Sequence, residues 1–210
     1  NGLLATMRYL HQYGIRFAGI GENLADASAP VYMDCENGRV ALIAATSSFH
    51  EAWRAGNQRG DMQGRPGVNP LRFQTKLHVT AEELAAQQLL DIKEGFAVET
   101  PGAFRFGGHE FVESEAPGKE TIPHPADLKR ITASIQEAKS QADCVMVSIH
   151  SHELGGLRKD VPAEFLVTFA RACIDAGANV VLGHGPHVLR GIERYHGGAI
   201  FYSLGNFLFE

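Results

Sequence analysis

The feature that most constrains this chain lies in its C-terminal third. DCVMVSI (143–149) is a nearly continuous apolar run of strand length, and NVVL (179–182) is a second. Runs of this kind suit strands buried on both faces of a sheet. Between them, AEFLVTFARACIDA sets Phe165, Phe169, Ala172 and Cys173 on one side of a helix. Pro162 suits the first turn of that helix and Gly177 ends it. Strand, helix and strand in this order predict parallel neighbours joined by a right-handed crossover. The fold class that follows is α/β.

That topology gives meaning to the histidines. His150 follows directly on the first run, in SIHSHE, and His184 follows directly on the second, in LGHGPH. Parallel neighbours deliver both to the same carboxyl edge, where open α/β sheets place their ligands. Neighbouring strands lie about 4.7–4.9 Å apart, close enough for imidazoles on their ends to converge. His150, His152, His184 and His187 therefore gather at one place, with Glu153 beside them. Imidazoles with a carboxylate nearby suit a divalent transition metal such as Zn, Mn or Fe. Gly185 and Pro186 fit the same reading, since one permits unusual backbone angles and the other fixes φ.

Elsewhere the patterns are more ordinary. GLLATMRYLHQYG aligns Leu3, Met7 and Leu10 on a helical face, with Gly14 as its stop. IRFAGI reads as a short strand. VYMDCENGRVALIAA reads as a hairpin turning on Asn37–Gly38. Residues 47–78, rich in Gly, Arg, Asn and Pro, read as a long loop inserted into a single domain that spans 1–210. There Arg65 and Arg72 offer forked donors for a phosphate or a carboxylate, and Trp53 offers a stacking surface. Thr80 opens a helix with a capping box to Glu83, which runs to about Glu94 where Gly95 stops it. A hairpin around Gly107–Gly108 and a helix over about 125–140 follow. IERY, HGG and AIFYSL form a closing hairpin.

Composition excludes several classes. The net charge of −5 and the lack of a basic block argue against a nucleic-acid partner. No apolar run approaches the roughly 20 residues of a membrane span. The three cysteines, Cys35, Cys144 and Cys173, lack a C-x-x-C spacing and read as buried, reduced thiols. GIGEN (19–23) lacks the third glycine of a dinucleotide fingerprint, and Ser203 in YSLGN lacks a nucleophile elbow. The chain begins at Asn1 and ends inside an apolar stretch, so both ends read as cut.

SIHSHE, DAGANVVLGHGPHVLRGIE and AIFYSLGNFLF together resemble the CapA-type proteins of poly-γ-glutamate capsule synthesis, within the calcineurin-like metallophosphoesterase superfamily. The likeness continues through RYLHQYGIRFAGIGENLADASAPV. It implies a four-layer α/β/β/α sandwich with a two-metal site at one edge. By resemblance, His150 is the single histidine ligand after its strand, and His184 and His187 are the terminal pair. His152 is a further ligand candidate, Glu153 loosely matches the acid of the family's HWG-E pattern, and Asn206 of GNF lies close to the site. His150, Glu153 and Asn206 are then the expected catalytic set. The family's first ligands come from an aspartate, an early acidic segment and an NNH motif, none of which this sequence contains. The chain thus reads as a domain incomplete at its N-terminus, starting just after NNH.

Two functions follow from that resemblance. One is a metal-dependent hydrolase of a phosphoester or a γ-glutamyl amide, using two divalent metals in the complete protein. The other is a non-catalytic component of a capsule synthesis or export assembly, membrane-associated, that binds an anionic polymer. The compartment implied is the cell envelope.

Overall fold

In a computed structural model of the chain, Cys144–His150 and Val180–His184 are parallel neighbours, paired from Met146 against Val180 to His150 against His184. The structure describes residues 2–94, 103–106, 109–206 and 208. In chain order the elements are α1 (Gly2–Gln12), β1 (Ile20–Gly21), α2 (Leu24–Ser28), β2 (Val31–Cys35), β3 (Gly38–Thr46) and β4 (Gly67–Val68). Then come β5 (Phe73–Val79), α3 (Ala81–Glu94), β6 (Ala103–Phe106), β7 (His109–Glu113), β8 (Gly118–Pro123) and α4 (Pro125–Lys139). The last are β9 (Cys144–His150), α5 (Glu164–Asp175), β10 (Val180–His184), β11 (Ile192–Tyr195) and β12 (Gly198–Phe201). The α/β class expected from the sequence is the class observed.

The chain forms two compact units, Asn1–Arg72 with His124–Glu210, and Phe73–Pro123. The first holds a six-stranded sheet in the order β11-β12-β10-β9-β3-β2. Its four inner strands, β12, β10, β9 and β3, run parallel, and an antiparallel hairpin partner closes each edge. Burial along β9 alternates. Val145, Val147 and Ile149 are sealed, while Cys144, Met146, Ser148 and His150 are only half-buried. The run expected to be buried on both faces is thus sealed on one. Ser148 and His150 share the half-buried face because strand side chains alternate. Helices α4 and α5 pack against these strands through Ile131, Ile135, Phe165 and Phe169, each fully buried.

Local chemistry accounts for the element ends. Pro125 starts α4 at its first turn. Helix α5 begins at Glu164 with Ala163 as its N-cap, so Pro162 lies just outside rather than within the first turn. Gly177, at φ +115°, ends it. The β2–β3 turn is Glu36–Asn37, one residue earlier than Asn37–Gly38, because Cys35 pairs with Gly38. IRFAGI is a strand only at Ile20–Gly21, and α2 follows, capped by the Asn23 side chain.

The second unit is a four-stranded sheet, β6-β7-β5-β8, with α3 inserted between β5 and β6. The expected capping box is present. The Thr80 amide donates to Glu83 Oε2 at 2.9 Å, and the Glu83 amide donates to Thr80 Oγ1 at 3.3 Å. The stretch read as one long loop over 47–78 includes β4 and most of β5, so residues 67–68 and 73–78 of it are strand. Strands β6 and β7 pair as a hairpin, while Gly95 and the Gly107–Gly108 turn lie outside the described residues.

Of the cysteines expected to be buried, only Cys173 is. Cys35 is exposed, Cys144 half-buried and Cys173 sealed, and burial raises the Cys173 thiol far above its ordinary pKa. A thiol reagent under native conditions is expected to label Cys35 first and Cys173 only on unfolding, as read by mass spectrometry of the peptides. Prompt native labelling of Cys173 would contradict this packing. Among the described residues no helix is long and apolar enough to cross a membrane.

Candidate functional site

Three inner strands end at one level. Thr46, His150 and His184 close β3, β9 and β10, and register places Thr46 opposite His150 and His150 opposite His184. The loops that leave these strand ends carry the site. His150 Nδ1 lies 3.0 Å from His184 Nδ1, and His150 Nε2 lies 3.0 Å from His152 Nε2. Ser148 Oγ lies 2.9 Å from His184 Nε2. The rings of His152 and His187 are 5.6 Å apart, so the four histidines form one continuous cluster.

Electrostatics keeps the inner pair neutral. Burial lowers the pKa of His150, helped by repulsion from His184 and His152 and opposed by Glu153. Burial also lowers the pKa of His184. With neutral rings, all contacts are satisfied when the protons run one way: Ser148 Oγ–H to His184, His184 to His150, His150 to His152. The reverse direction satisfies them equally.

The loop after β10 is held under constraint. Gly185 adopts φ +128° and packs against the Ser151 backbone, while His187 adopts φ +60°, uncommon for a residue with a Cβ. Non-glycine residues in that region cluster at functional sites. His187 Nδ1 contacts Asn206 Oδ1 at 2.8 Å, which orients the ring and leaves Nε2 outward.

Comparison with known proteins shows the family. The model of the family described as "Bacterial capsule synthesis protein PGA_cap" matches residues 1–210. The chain belongs to the PGA_cap family. It is 36% identical over 216 residues to the uncharacterized protein y4sH of Sinorhizobium fredii, covering 100% of this chain and 46% of that protein. It is 46% identical over 86 residues to the PGA biosynthesis protein CapA of Bacillus subtilis, covering 41% of this chain and 22% of that protein. It is 38% identical over 96 residues to the capsule biosynthesis protein CapA of Bacillus anthracis, covering 46% and 23% respectively. The chain spans about half the length, or less, of these curated relatives.

Within this PGA_cap chain the expected residues divide. His150, His152, His184 and His187 come together, and Asn206 joins them through His187. Glu153 stands at the same edge but turns its carboxylate to serine hydroxyls, from Ser47 at 2.6 Å, Ser151 at 2.8 Å and Ser48 at 3.1 Å. Arg72 is committed elsewhere. Its Nε and Nη2 grip the sealed carboxylate of Asp127 at 2.7 and 2.9 Å. Arg65 is exposed and ties its own loop by donating from Nε to the Arg54 carbonyl at 2.9 Å. Trp53 is largely exposed. A cleft of about 570 Å³ lined by Met7, Ile15, Phe17 and Val31 contains none of the four histidines.

The metals that the resemblance implies can be tested against these residues by donor type and number. Neutral imidazole nitrogens are suitable donors for a borderline ion. Two nitrogens 3.0 Å apart match adjacent ligands of one ion bound at about 2.0–2.1 Å. The number is not complete. Among the described residues no three His, Cys, Asp or Glu side chains surround a common point. The residues present suit a transition metal in donor type, and among the described residues they do not make a set of three.

Sequence reasoning missed Ser47, Ser48, Ser148, Ser151 and Arg190. Ser148 had a signal, since it sits two residues before His150 and strand periodicity puts both on one face. Ser47 and Ser48 had none, because they lie more than a hundred residues from Glu153.

Proposed function

We propose that this chain carries the imidazole half of a metal-dependent hydrolase centre in a capsule-synthesis protein of the cell envelope. The observation that carries the reading is the register of His150 with His184 on parallel strands, with their Nδ1 atoms 3.0 Å apart. His150 and His184 would hold a divalent ion such as Mn, Fe or Zn, with His187 and His152 at the outer side of the cluster. Such an ion, when bound, polarises a phosphoryl or acyl oxygen and generates hydroxide near neutral pH. The protein's part is positional. Burial keeps the two inner rings unprotonated, Ser148 steadies His184, and Asn206 steadies His187. The substrate class is an anionic phosphoester or a γ-glutamyl amide of the capsule polymer. Arg65, being exposed, is the arginine of the pair more open to that anion.

Metal analysis of the full-length protein tests this. Wild type is expected to retain a transition metal through gel filtration, and His184→Ala is expected to lower the affinity by about tenfold or more. A metal-free wild type, or a His184→Ala variant with unchanged metal content, would defeat the reading.

The incomplete ligand count supports a second reading, a non-catalytic binder of anionic polymer at the same edge. Charge weighs against the Phe73–Pro123 unit as its seat. That unit holds nine of the chain's 24 Asp and Glu but four of its 19 Lys and Arg, so the whole excess of five negative charges resides there. Polyglutamate binding that survives chelation, without hydrolysis, would favour this second reading over the first.

A further inference from the structure

Glu153 and Arg190 lie behind the histidines, and together they touch all three loops of the site edge. The Glu153 carboxylate accepts from Ser47 and Ser48, which follow β3, and from Ser151, which follows β9. Ser48 Oγ in turn accepts from the His152 amide at 2.8 Å, and the Ser47 amide donates to the His150 carbonyl at 2.9 Å. Arg190, from the loop after β10, is 95% buried, with 5% of its surface exposed. Its Nη2 donates to the Glu153 carbonyl and its Nε to the Lys159 carbonyl, both at 2.9 Å. No carboxylate ion-pairs with it among the described residues, and Nη1 has no protein partner. Burying a cation between carbonyls is costly, and burial lowers its pKa. Lysine, a point charge on a flexible stem, does not reproduce two donors in a fixed fork.

We propose that Glu153 and Arg190 form a staple that seats His150 and His152, and that Glu153 acts through position without exchanging a proton. Arg190 fixes both ends of the 153–159 segment, whose return is also pinned by the Leu154–Pro162 bridge and the Gly155 amide on Val161 O. The carboxylate is then presented to three hydroxyls, of which Ser48 Oγ holds the His152 amide, while the Ser47 amide holds the His150 carbonyl. Ordered rings are the product. This deepens the reading of the same site, but it concerns ring order alone and needs neither metal nor substrate.

The test is long-range ¹H–¹⁵N correlation of histidine-labelled full-length protein, stripped of metal. In wild type, His150 and His152 are each expected to show one sharp set of ring signals. Arg190→Met and Glu153→Ala are expected to broaden or split that set for these two rings, while His78 in the other unit is unmoved. Glu153→Gln is expected to keep the pattern, because hydroxyl protons rotate to suit an amide. Ser48→Ala, which removes only one bridging hydroxyl, covers the case in which Arg190→Met fails to fold and should broaden the His152 signals. Unchanged His150 and His152 patterns in folded Glu153→Ala and Ser48→Ala proteins would overturn the staple. A Glu153→Gln spectrum as disturbed as that of Glu153→Ala would overturn the claim that position rather than charge is what Glu153 supplies. Because no metal is present, either outcome stands apart from the fate of the hydrolase reading.

Discussion

Asp127→Ala is expected to lower the unfolding free energy by about 3–5 kcal/mol, the usual cost of removing one partner from a buried ion pair. The Asp127 side chain is sealed, and two guanidiniums converge on it. Arg72 binds it through both side-chain nitrogens and its own amide, and Arg130 Nη1 donates at 2.6 Å. Arg130 also reaches the sealed Asn69, which accepts from Ser28. Without the carboxylate, two partly buried cations face each other with no counter-charge between them. The network matters to the site because segment 69–71 zips onto Thr46, through Thr46 N to Asn69 O and Leu71 N to Thr46 O, and Thr46 pairs with His150. The arginines hold the Asp127 pKa down to about 2 from 3.8. A depressed carboxylate stabilises the fold above its unfolded pKa, and that contribution fades as pH falls from about 4 toward 2. At about 1.4 kcal/mol per unit, the shift is worth on the order of 2–3 kcal/mol. Urea melts at neutral pH and at pH 3 check both statements. A neutral-pH difference below about 1 kcal/mol would place the interaction among surface pairs.

Gly185→Ala is expected to cost about 1–3 kcal/mol and to separate the histidines. Two effects add. The backbone sits at φ +128°, which a Cβ disfavours, and that Cβ would lie 2.8 Å from Ser151 O and 3.0 Å from its carbonyl carbon. Both neighbours are main chain, so neither can swing aside. The Ser151 amide donates to the His184 carbonyl at 2.8 Å, so displacement at Gly185 strikes the contact that keeps β9 and β10 ends level. Gly191→Ala, with nothing within 4 Å of its added carbon, is the matched control and should melt like wild type. Equal melting of the two variants, with unchanged histidine spectra, would show that the loop tolerates the methyl.

What was legible in the sequence was local. The β9–α5–β10 unit carries its own signals, apolar runs and an amphipathic helix, and the parallel direction of its strands follows from topology. The convergence of His150 with His184 was therefore readable before any coordinates. The capping box at Thr80 was readable for the same reason. Arg72 shows the limit. As a string it is an arginine in a Gly- and Pro-rich stretch, and its partner Asp127 stands 55 residues away on the first turn of α4. Only tertiary closure creates that pair. The serine cage of Glu153 is longer-ranged still. Residues 73–79 failed for another reason. FQTKLHV alternates weakly, and its strand character comes from pairing with β7 and β8 rather than from its own pattern.

Under the proposed reading, the ends of β9 and β10 present imidazoles to one shared ion. Anomalous diffraction from crystals of the full-length protein grown with Mn²⁺ or Zn²⁺ locates that ion. A peak is expected within about 2.0–2.2 Å of a ring nitrogen of His184 and of at least one of His150 and His187. A well-occupied peak elsewhere in the molecule, with those three rings unliganded, would contradict it.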